Sequence, residues 1–222
     1  MRAIVREDDA WRIAPDADDD LVAVRAAGLA AIATPRDVAP PASEIELRAH
    51  QRATLRIHEA GASLPSRFGQ LFNDEDALAA ALVSNRSRLV QSLELIGERI
   101  EMSITLEWKT PHPDQHTQGL GGNANTSSPT TGRAFLEASA ARERERRQAE
   151  QVVADLVTHL SVEQALIRHS ICPRDGVAAI VALLVARDAV GALRRRVDSY
   201  NEGSVEVRAS VYGPLPPYSF AS

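Results

Sequence analysis

The segment from Arg99 to Trp108 alternates apolar and polar side chains along its whole length. Its apolar members are Ile100, Met102, Ile104, Leu106 and Trp108, and its polar members are Glu101, Ser103, Thr105 and Glu107. A β-strand directs successive side chains to opposite faces of its sheet, so this period of two predicts a strand. One face of the strand should lie in the core, and the other should meet water.

The elements that follow this strand predict the fold of the C-terminal half. A long helix begins at Gly132, and strand candidates at Leu166–Ile171 and Val177–Val185 come after it. A helix that begins at Asp188 then precedes a last alternating strand at Val205–Val211. The order strand, helix, strand, strand, helix, strand is that of a ferredoxin-like sandwich. We therefore expect one antiparallel sheet that carries both helices on one face.

The first part of the chain predicts a smaller α+β unit. Ala3–Val5 and Leu29–Ala33 are short strand candidates, and Ser43 with Glu46 forms a capping box that begins a helix. A second helix is predicted from Asn73 to Gly97. Its buried stripe, recurring at helical spacing, consists of Leu78, Leu82, Leu89, Leu93 and Ile96.

These patterns together predict an α+β protein of two domains. The N-terminal α+β domain should comprise residues 1–98, and the C-terminal ferredoxin-like domain residues 99–222. Residues 110–131 are rich in Pro, Gly, Asn, Ser and Thr, so we expect a flexible loop there. His112 and His116 lie in this loop, where no rigid scaffold would hold ligands at metal distances, and we expect no functional metal site.

The composition argues against several classes of partner. The chain has 222 residues, 44% of them hydrophobic, with a net charge of −5 and a pI of about 5.7. No overall basic field exists, so we expect neither nucleic acid nor a membrane as partner. Met1–Arg12 has no apolar run long enough for a signal peptide, and Cys172 is the only cysteine. We therefore expect a cytoplasmic protein without a disulfide or a cysteine metal site within one chain.

Two histidines on the first helix are the residues most open to a chemical interpretation. His50 and His58 are eight residues apart, hence on roughly one face, and Asp74 or Glu75 follows later in the chain. Ligands of one ion on a helix normally lie three or four residues apart, whereas these two would be about 12 Å apart along the axis. We expect neither a metal site nor a cofactor. The sequence has no nucleophile elbow, no glycine-rich phosphate loop and no paired-cysteine signature, so we also expect no catalytic residues and no enzyme activity.

The C-terminal stretch Tyr212–Phe220 contains three prolines, which hold it extended and remove three amide donors. Its rings must either pack against the body of the protein or be offered to a partner, and the two options do not exclude each other. Arg142–Glu150, in the long helix, is a charged stretch that we interpret as a solvated face, in which pairs such as Glu143 with Arg147 help hold the helix.

Three segments carry a resemblance to a known family. Gly213–Phe220 (GPLPPYSF) resembles the closing signature of the gas vesicle GvpL/GvpF family, and Leu64–Gly69 (LPSRFG) resembles its central signature. Gly132–Glu137 (GRAFLE), followed by a charged helix, is similar to a third. The resemblance implies a two-domain α+β protein with a modified ferredoxin-like C-terminal domain and no cofactor. It also implies a minor component or assembly factor that contacts the hydrophobic shell protein and other accessory proteins of the gas vesicle.

A shell subunit with an apolar surface would aggregate unless another protein covered it, so we expect an apolar patch that binds it. The residues predicted to bind partners are Leu64, Pro65, Arg67, Phe68, Pro214, Leu215, Pro217, Tyr218 and Phe220. One rival interpretation is a ferredoxin-like sensor or enzyme for a small molecule, unrelated to vesicles, which would need a polar pocket and would be favoured by His50, His58 and Asp74 clustered beside a cavity. A generic interaction module is the other rival.

Overall fold

The computed structural model describes residues 1–13, 20–110, 132–161, 166–174 and 176–221, without the side chains of residues 11, 132–135, 138 and 172–174. The predicted flexible loop, apart from its first residue, and the two histidines in it lie outside the described residues. So does the side chain of the single cysteine. The described part of the chain forms two separate sheets with α-helices, which confirms the predicted α+β class.

The chain forms two compact units. The N-terminal unit comprises Met1–Met102, Leu184–Asp188 and Gly213–Ser222, and the C-terminal unit comprises Ser103–Leu183 and Ala189–Tyr212. Both ends of the chain therefore belong to the same unit. The division into domains at residues 1–98 and 99–222 stays a prediction.

The sheet of the N-terminal unit has four antiparallel strands in the order β2-β3-β1-β4. They are β1 Ala3–Arg6, β2 Val22–Ala26, β3 Leu29–Ala33 and β4 Ser63–Pro65. Ala27 and Gly28, both with positive φ, form the tight turn between β2 and β3. The prediction of only two strands was wrong, because β2 was not separated from β3 and β4 was interpreted as a turn.

Three helices complete this unit, α1 (Glu44–Ala60), α2 (Glu75–Ser84) and α3 (Arg86–Ile96). The predicted cap of α1 is confirmed, since the Ser43 hydroxyl accepts the amide of Glu46 at 3.3 Å. The prediction of one continuous helix up to Gly97 was wrong.

The helix is interrupted at Asn85, which adopts φ −108° and ψ 9°. Its side-chain amide donates to the carbonyl of Ala81 at 2.9 Å, and its backbone amide donates to the same carbonyl at 3.2 Å, so Asn85 caps the end of α2. All five leucine and isoleucine residues of the predicted stripe are nevertheless buried. The core beneath the sheet is made of Ala3, Val5, Ala10, Ala30, Ile32 and Ile57.

The second sheet has the strand order β6-β7-β5-β8, which is that of a ferredoxin-like sandwich. Its elements, in chain order, are β5 Ile100–Trp108, α4 Gly132–Leu160, β6 Leu166–Arg174, β7 Val177–Val185, α5 Val190–Gly203 and β8 Val207–Leu215. The predicted order of elements is confirmed. The buried side chains of the C-terminal unit include Ile104, Leu106, Ala149, Val152, Leu156, Leu160, Val181, Leu183, Leu193, Val197 and Val207.

Helix α4 carries the predicted ion pairs on its exposed charged stretch. Glu143 accepts hydrogen bonds from Arg146 at 2.8 Å and from Arg147 at 2.9 Å, and Arg146 also pairs with Glu150. These two guanidinium groups lower the pKa of Glu143 to about 2. The contacts are exposed and hold the helix surface without contributing to the core.

Strands β5 and β8 each depart from the prediction at one point. The apolar face of β5 is buried as expected, but Glu101, predicted to meet water, is only 5% exposed. Strand β8 continues to Leu215, past the predicted end at Val211. Pro214 is tolerated there because β8 lies at the edge of its sheet, where a missing amide leaves no ladder bond unmade.

Candidate functional site

The segment Leu64–Gly69 is buried in its first half and reaches the surface in its second half. Leu64 and Pro65 are buried residues of β4, and the hydroxyl of Ser66 lies 2.7 Å from the carbonyl of Met1 and 2.9 Å from that of Arg2. The chain then turns outward at Gly69, whose φ of +80° favours glycine. The first half of the segment is therefore structural, and the second half faces the surface.

His50 joins this segment to β1. The guanidinium group of Arg2 donates to Nδ1 of His50 at 3.0 Å, so the ring proton lies on Nε2, which donates to the carbonyl of Ser66 at 3.0 Å. Phe68 contacts the imidazole edge-on, with ring centroids 5.6 Å apart. Burial lowers the pKa of His50, with a smaller contribution from the charge of Arg2, despite the opposing bond to Ser66. Both ring nitrogens are engaged, so this histidine is suited to structure rather than to proton transfer.

A cavity of about 300 Å³ opens beside His50 in the N-terminal unit. Its walls come from β2, from the loop after β3 and from the chain between β4 and α2. The apolar lining residues include Val22, Val24, Pro35, Pro40, Phe68, Leu71, Phe72 and Leu78. The charged ones are Arg2, Arg36, Asp37, Asp74 and Glu75, together with the amine of Met1.

His58 belongs to a different part of the same unit. The Ser63 hydroxyl donates to Nδ1 of His58 at 3.1 Å, and Nε2 donates to the carbonyl of Arg99 at 3.0 Å. Burial lowers the pKa of this imidazole to about 4, so it is neutral at physiological pH. Asp74 caps α2 by accepting the amide of Ala77 at 2.7 Å. His50 and Asp74 line the cavity and His58 does not, so the three residues are not clustered there, which counts against the rival interpretation.

The C-terminal tail packs into the N-terminal unit. Phe220 is 2% exposed, and the prolines at positions 216 and 217 are buried. The buried carboxylate of Glu101 accepts two bonds from Ser219, one from its backbone amide at 2.8 Å and one from its hydroxyl at 2.7 Å. Tyr218 is 37% exposed, and partial burial raises its pKa, opposed by a hydrogen bond with Thr54. The tail is thus anchored by one ring and one carboxylate.

Sequence and structure comparisons agree with this architecture. The family described as "Gas vesicle synthesis protein GvpL/GvpF" matches residues 3–222. The chain belongs to this family.

Three proteins similar to this chain are named gas vesicle protein F or GvpF. Gas vesicle protein F of Streptomyces sp. (strain CB03234) is 26% identical over 200 residues, which is 84% of this chain and 80% of that protein. The crystal structure of GvpF from Anabaena sp. PCC7120 superposes with a TM-score of 0.70 at 15% identity, covering 100% of this chain and 94% of that one. GvpF from Microcystis aeruginosa gives 0.66 at 18% identity, with 100% and 97% coverage. At these identities the two crystal structures support the fold alone.

The nine predicted partner-binding residues of this GvpL/GvpF family member differ in accessibility. The buried ones are Leu64, Pro65, Pro217 and Phe220. Phe68 and Leu215 are partly buried, and Arg67, Pro214 and Tyr218 are exposed. The buried four cannot contact a partner in this conformation. The partner-binding role of the set stays a prediction.

Several residues of the site were not singled out from the sequence. Arg2 and Glu101 are buried charges whose role depends on neighbours far away in the chain. Leu71, which is exposed, and Phe72, which is partly buried, follow the central signature after Gln70, and two adjacent apolar residues just after a turn were the available signal.

Within the described ranges, no three His, Cys, Asp or Glu side chains converge as metal ligands would. Among the described helices, none combines the length and the apolar composition of a membrane span.

Proposed function

We propose that this chain is an accessory protein of gas vesicle assembly that binds the hydrophobic shell subunit. It would act in the cytoplasm at the vesicle, during nucleation or formation, and it would also meet other accessory proteins. The match of the gas vesicle synthesis family to nearly the whole chain carries this proposal. The structure supports it with an apolar surface around the cavity of the N-terminal unit.

Exposed apolar side chains lie on the cavity lining and on segments joined to it. Leu71 lines the cavity and is 55% exposed, while Val38 and Ile45 are 77% and 79% exposed. Val38 follows Arg36 closely and Ile45 precedes Glu46, and the ion pair between Arg36 and Glu46 at 3.2 Å brings the two segments together. Clustered apolar side chains on a protein surface mark interaction sites. By packing against the apolar surface of a partner, these side chains would shield that surface from water.

The geometry favours this role over small-molecule chemistry at the cavity. The imidazole of His50 has both nitrogens occupied, and the Asp74 carboxylate already caps a helix. Both nitrogens of His50 and one oxygen of Asp74 therefore already serve the fold. Absence of enzyme activity remains our expectation for this protein.

Co-purification with the shell subunit tests the proposal. The tagged chain should retain the shell subunit of the same organism with saturable binding, and an unrelated ferredoxin-like protein of similar charge serves as the control. Removing the gene should abolish vesicles or reduce their number, and re-expression should restore them. Intact vesicles in the deletion strain together with no saturable binding would contradict the proposed function.

A further inference from the structure

The cavity of the N-terminal unit is of a size to hold side chains rather than a whole protein surface. Its volume of about 300 Å³ lies at the lower end of the range for ligand pockets. Phe68, Leu71 and Phe72 supply its wall, and the buried Leu78 closes it from the side of α2. One or two bulky apolar side chains would fill it, in the manner of an anchor residue at a protein interface.

The lining of the cavity includes acidic side chains that form no ion pair with any residue that the structure describes. Asp37, in the loop after β3, and Glu75, at the start of α2, both line the cavity and are exposed. Among the described residues neither carboxylate takes part in an ion pair or a hydrogen bond. Asp74 adds a third carboxylate that uses one oxygen for its helix cap.

The cationic groups of the cavity are engaged by the protein itself. Arg36 holds both oxygens of Glu46, at 3.2 Å each. Arg2 is buried and donates to Thr34 and His50. The amine of Met1 donates to a backbone carbonyl, and burial, followed by the charge of Arg2, lowers its pKa. Of the charged side chains that line the cavity, the exposed ones without an ion pair among the described residues are Asp37, Asp74 and Glu75, all of them acidic.

We infer that this cavity binds an apolar segment of the shell subunit in which a basic side chain lies next to the bulky apolar residues. The apolar side chains enter the cavity, and the basic group meets Asp37 and Glu75 at its edge. This assignment rests on the proposed function, because it names the part of the partner that the same surface takes. It adds that the cavity selects apolar segments with an adjacent basic residue over apolar segments that are acidic or uncharged.

Binding of synthetic peptides that tile the shell subunit tests this rule. Each peptide is labelled and titrated with the full chain at low and at physiological salt, with fluorescence anisotropy as the readout. Tiles with an apolar run beside Arg or Lys should bind, and exchange of that residue for Gln should weaken binding about fivefold at low salt. The difference should shrink as salt rises, because the charges at the edge are exposed.

Variants of the chain locate the binding to the cavity. Asp37→Asn with Glu75→Gln should weaken binding of the basic tiles about fivefold and leave the Gln-exchanged tiles unchanged. The matched control is Glu59→Gln with Glu98→Gln, which alters two exposed acids that do not line the cavity. Neither pair touches the core, so both variants should keep the melting temperature of the parent chain.

The apolar contact with the partner's anchor residue is tested in the same assay. Leu71→Ser should weaken binding at least about tenfold, because Leu71 lines the cavity that holds this anchor, and contacts around an anchor dominate the binding energy. The control is Leu95→Ser on α3, which is 41% exposed and does not line the cavity.

If the chain retains the whole shell subunit but the cavity variants bind it as their controls do, the inference is wrong and the proposed function stands. If the parent chain does not bind the whole shell subunit, the proposed function fails, and this inference fails with it.

Discussion

The contact between Glu101 and Ser219 gives the sharpest test of how the C-terminal tail is held. Glu101 is buried and accepts the Ser219 amide at 2.8 Å and its hydroxyl at 2.7 Å. Ser219→Ala removes the hydroxyl and keeps the backbone bond. Glu101→Gln keeps the size of the side chain and removes its charge, and its amide can still accept from the Ser219 amide and donate to the Ser219 hydroxyl.

The expected size of the effect follows from these two bonds. A hydrogen bond to a charged group contributes about 1.5–3 kcal/mol, so Ser219→Ala should lower the free energy of unfolding by that amount. Glu101→Gln replaces two bonds to a charged group by two neutral ones and should cost about 1–3 kcal/mol. The double variant should be less destabilised than the sum of the single variants, with a coupling of at least about 1 kcal/mol.

Urea unfolding followed by circular dichroism gives the free energies, and amide hydrogen exchange at Phe220 reports on the tail itself. The Phe220 amide donates to the carbonyl of Pro217 at 3.1 Å and should exchange faster in all three variants. Ser92→Ala, a half-buried serine on α3, is the control and should show no coupling to Glu101→Gln. A coupling below about 0.3 kcal/mol between Glu101 and Ser219 would refute the reasoning.

Three further predictions concern the N-terminal unit. Phe220→Ala should lower the free energy of unfolding by about 3–5 kcal/mol, because the ring is buried, and Tyr218→Ala should cost clearly less; equal shifts in a thermal melt would contradict this packing. Gly213→Ala should cost more than about 1 kcal/mol, because φ is +125° and the added Cβ would lie 2.9 Å from Met102 Sδ. Gly203→Ala, where a Cβ meets nothing within 4 Å, is its control in the same melt. His58 has its pKa lowered to about 4 in the folded chain, against about 6.5 when unfolded, so the unfolded state takes up the proton first as pH falls. Its contribution of about 3 kcal/mol is fully present above pH 6.5 and lost between pH 6.5 and pH 4, and His58→Gln should remove this part of the pH dependence of the urea midpoint.

The sequence predicted the C-terminal sheet and its order because the relevant signals are local. The alternation in β5 needs only one strand to be visible, and the long apolar run of β7 marks a strand covered on both faces. The order of elements then leaves few topologies open. The same local logic identified the cap of α1 at Ser43, since both partners are three residues apart.

The N-terminal sheet was predicted incompletely because two of its strands have little local signal. Strand β4 has only three residues, too few to display an alternation. It forms by hydrogen-bonding to β1, on the side of β1 that β3 does not occupy. The break at Asn85 was hidden by a leucine stripe that continues through both helices. Strand β4 depends on pairing with a distant segment, whereas the break at Asn85 is a local feature that the apolar pattern does not reveal.

The candidate site shows the same division. The two signature segments, around Phe68 and at the tail, were recognised from the sequence, and their resemblance indicated the GvpL/GvpF family. Their neighbours were not predictable, because Glu101 meets a residue 118 positions away and Arg2 meets His50 across 48 positions. A charge expected to meet water becomes a buried anchor when a distant segment supplies its hydrogen bonds.

The amino-acid sequence by itself determined the fold class, the order of elements in the ferredoxin-like sheet and the family of this protein. Periodicity, capping and signature motifs depend on residues that are neighbours along the chain. Only the tertiary structure decided that four of the nine predicted contact residues are buried, and that a cavity with an acidic edge opens beside His50. Burial and cavities depend on which distant segments pack together, and no pattern along one segment contains that information.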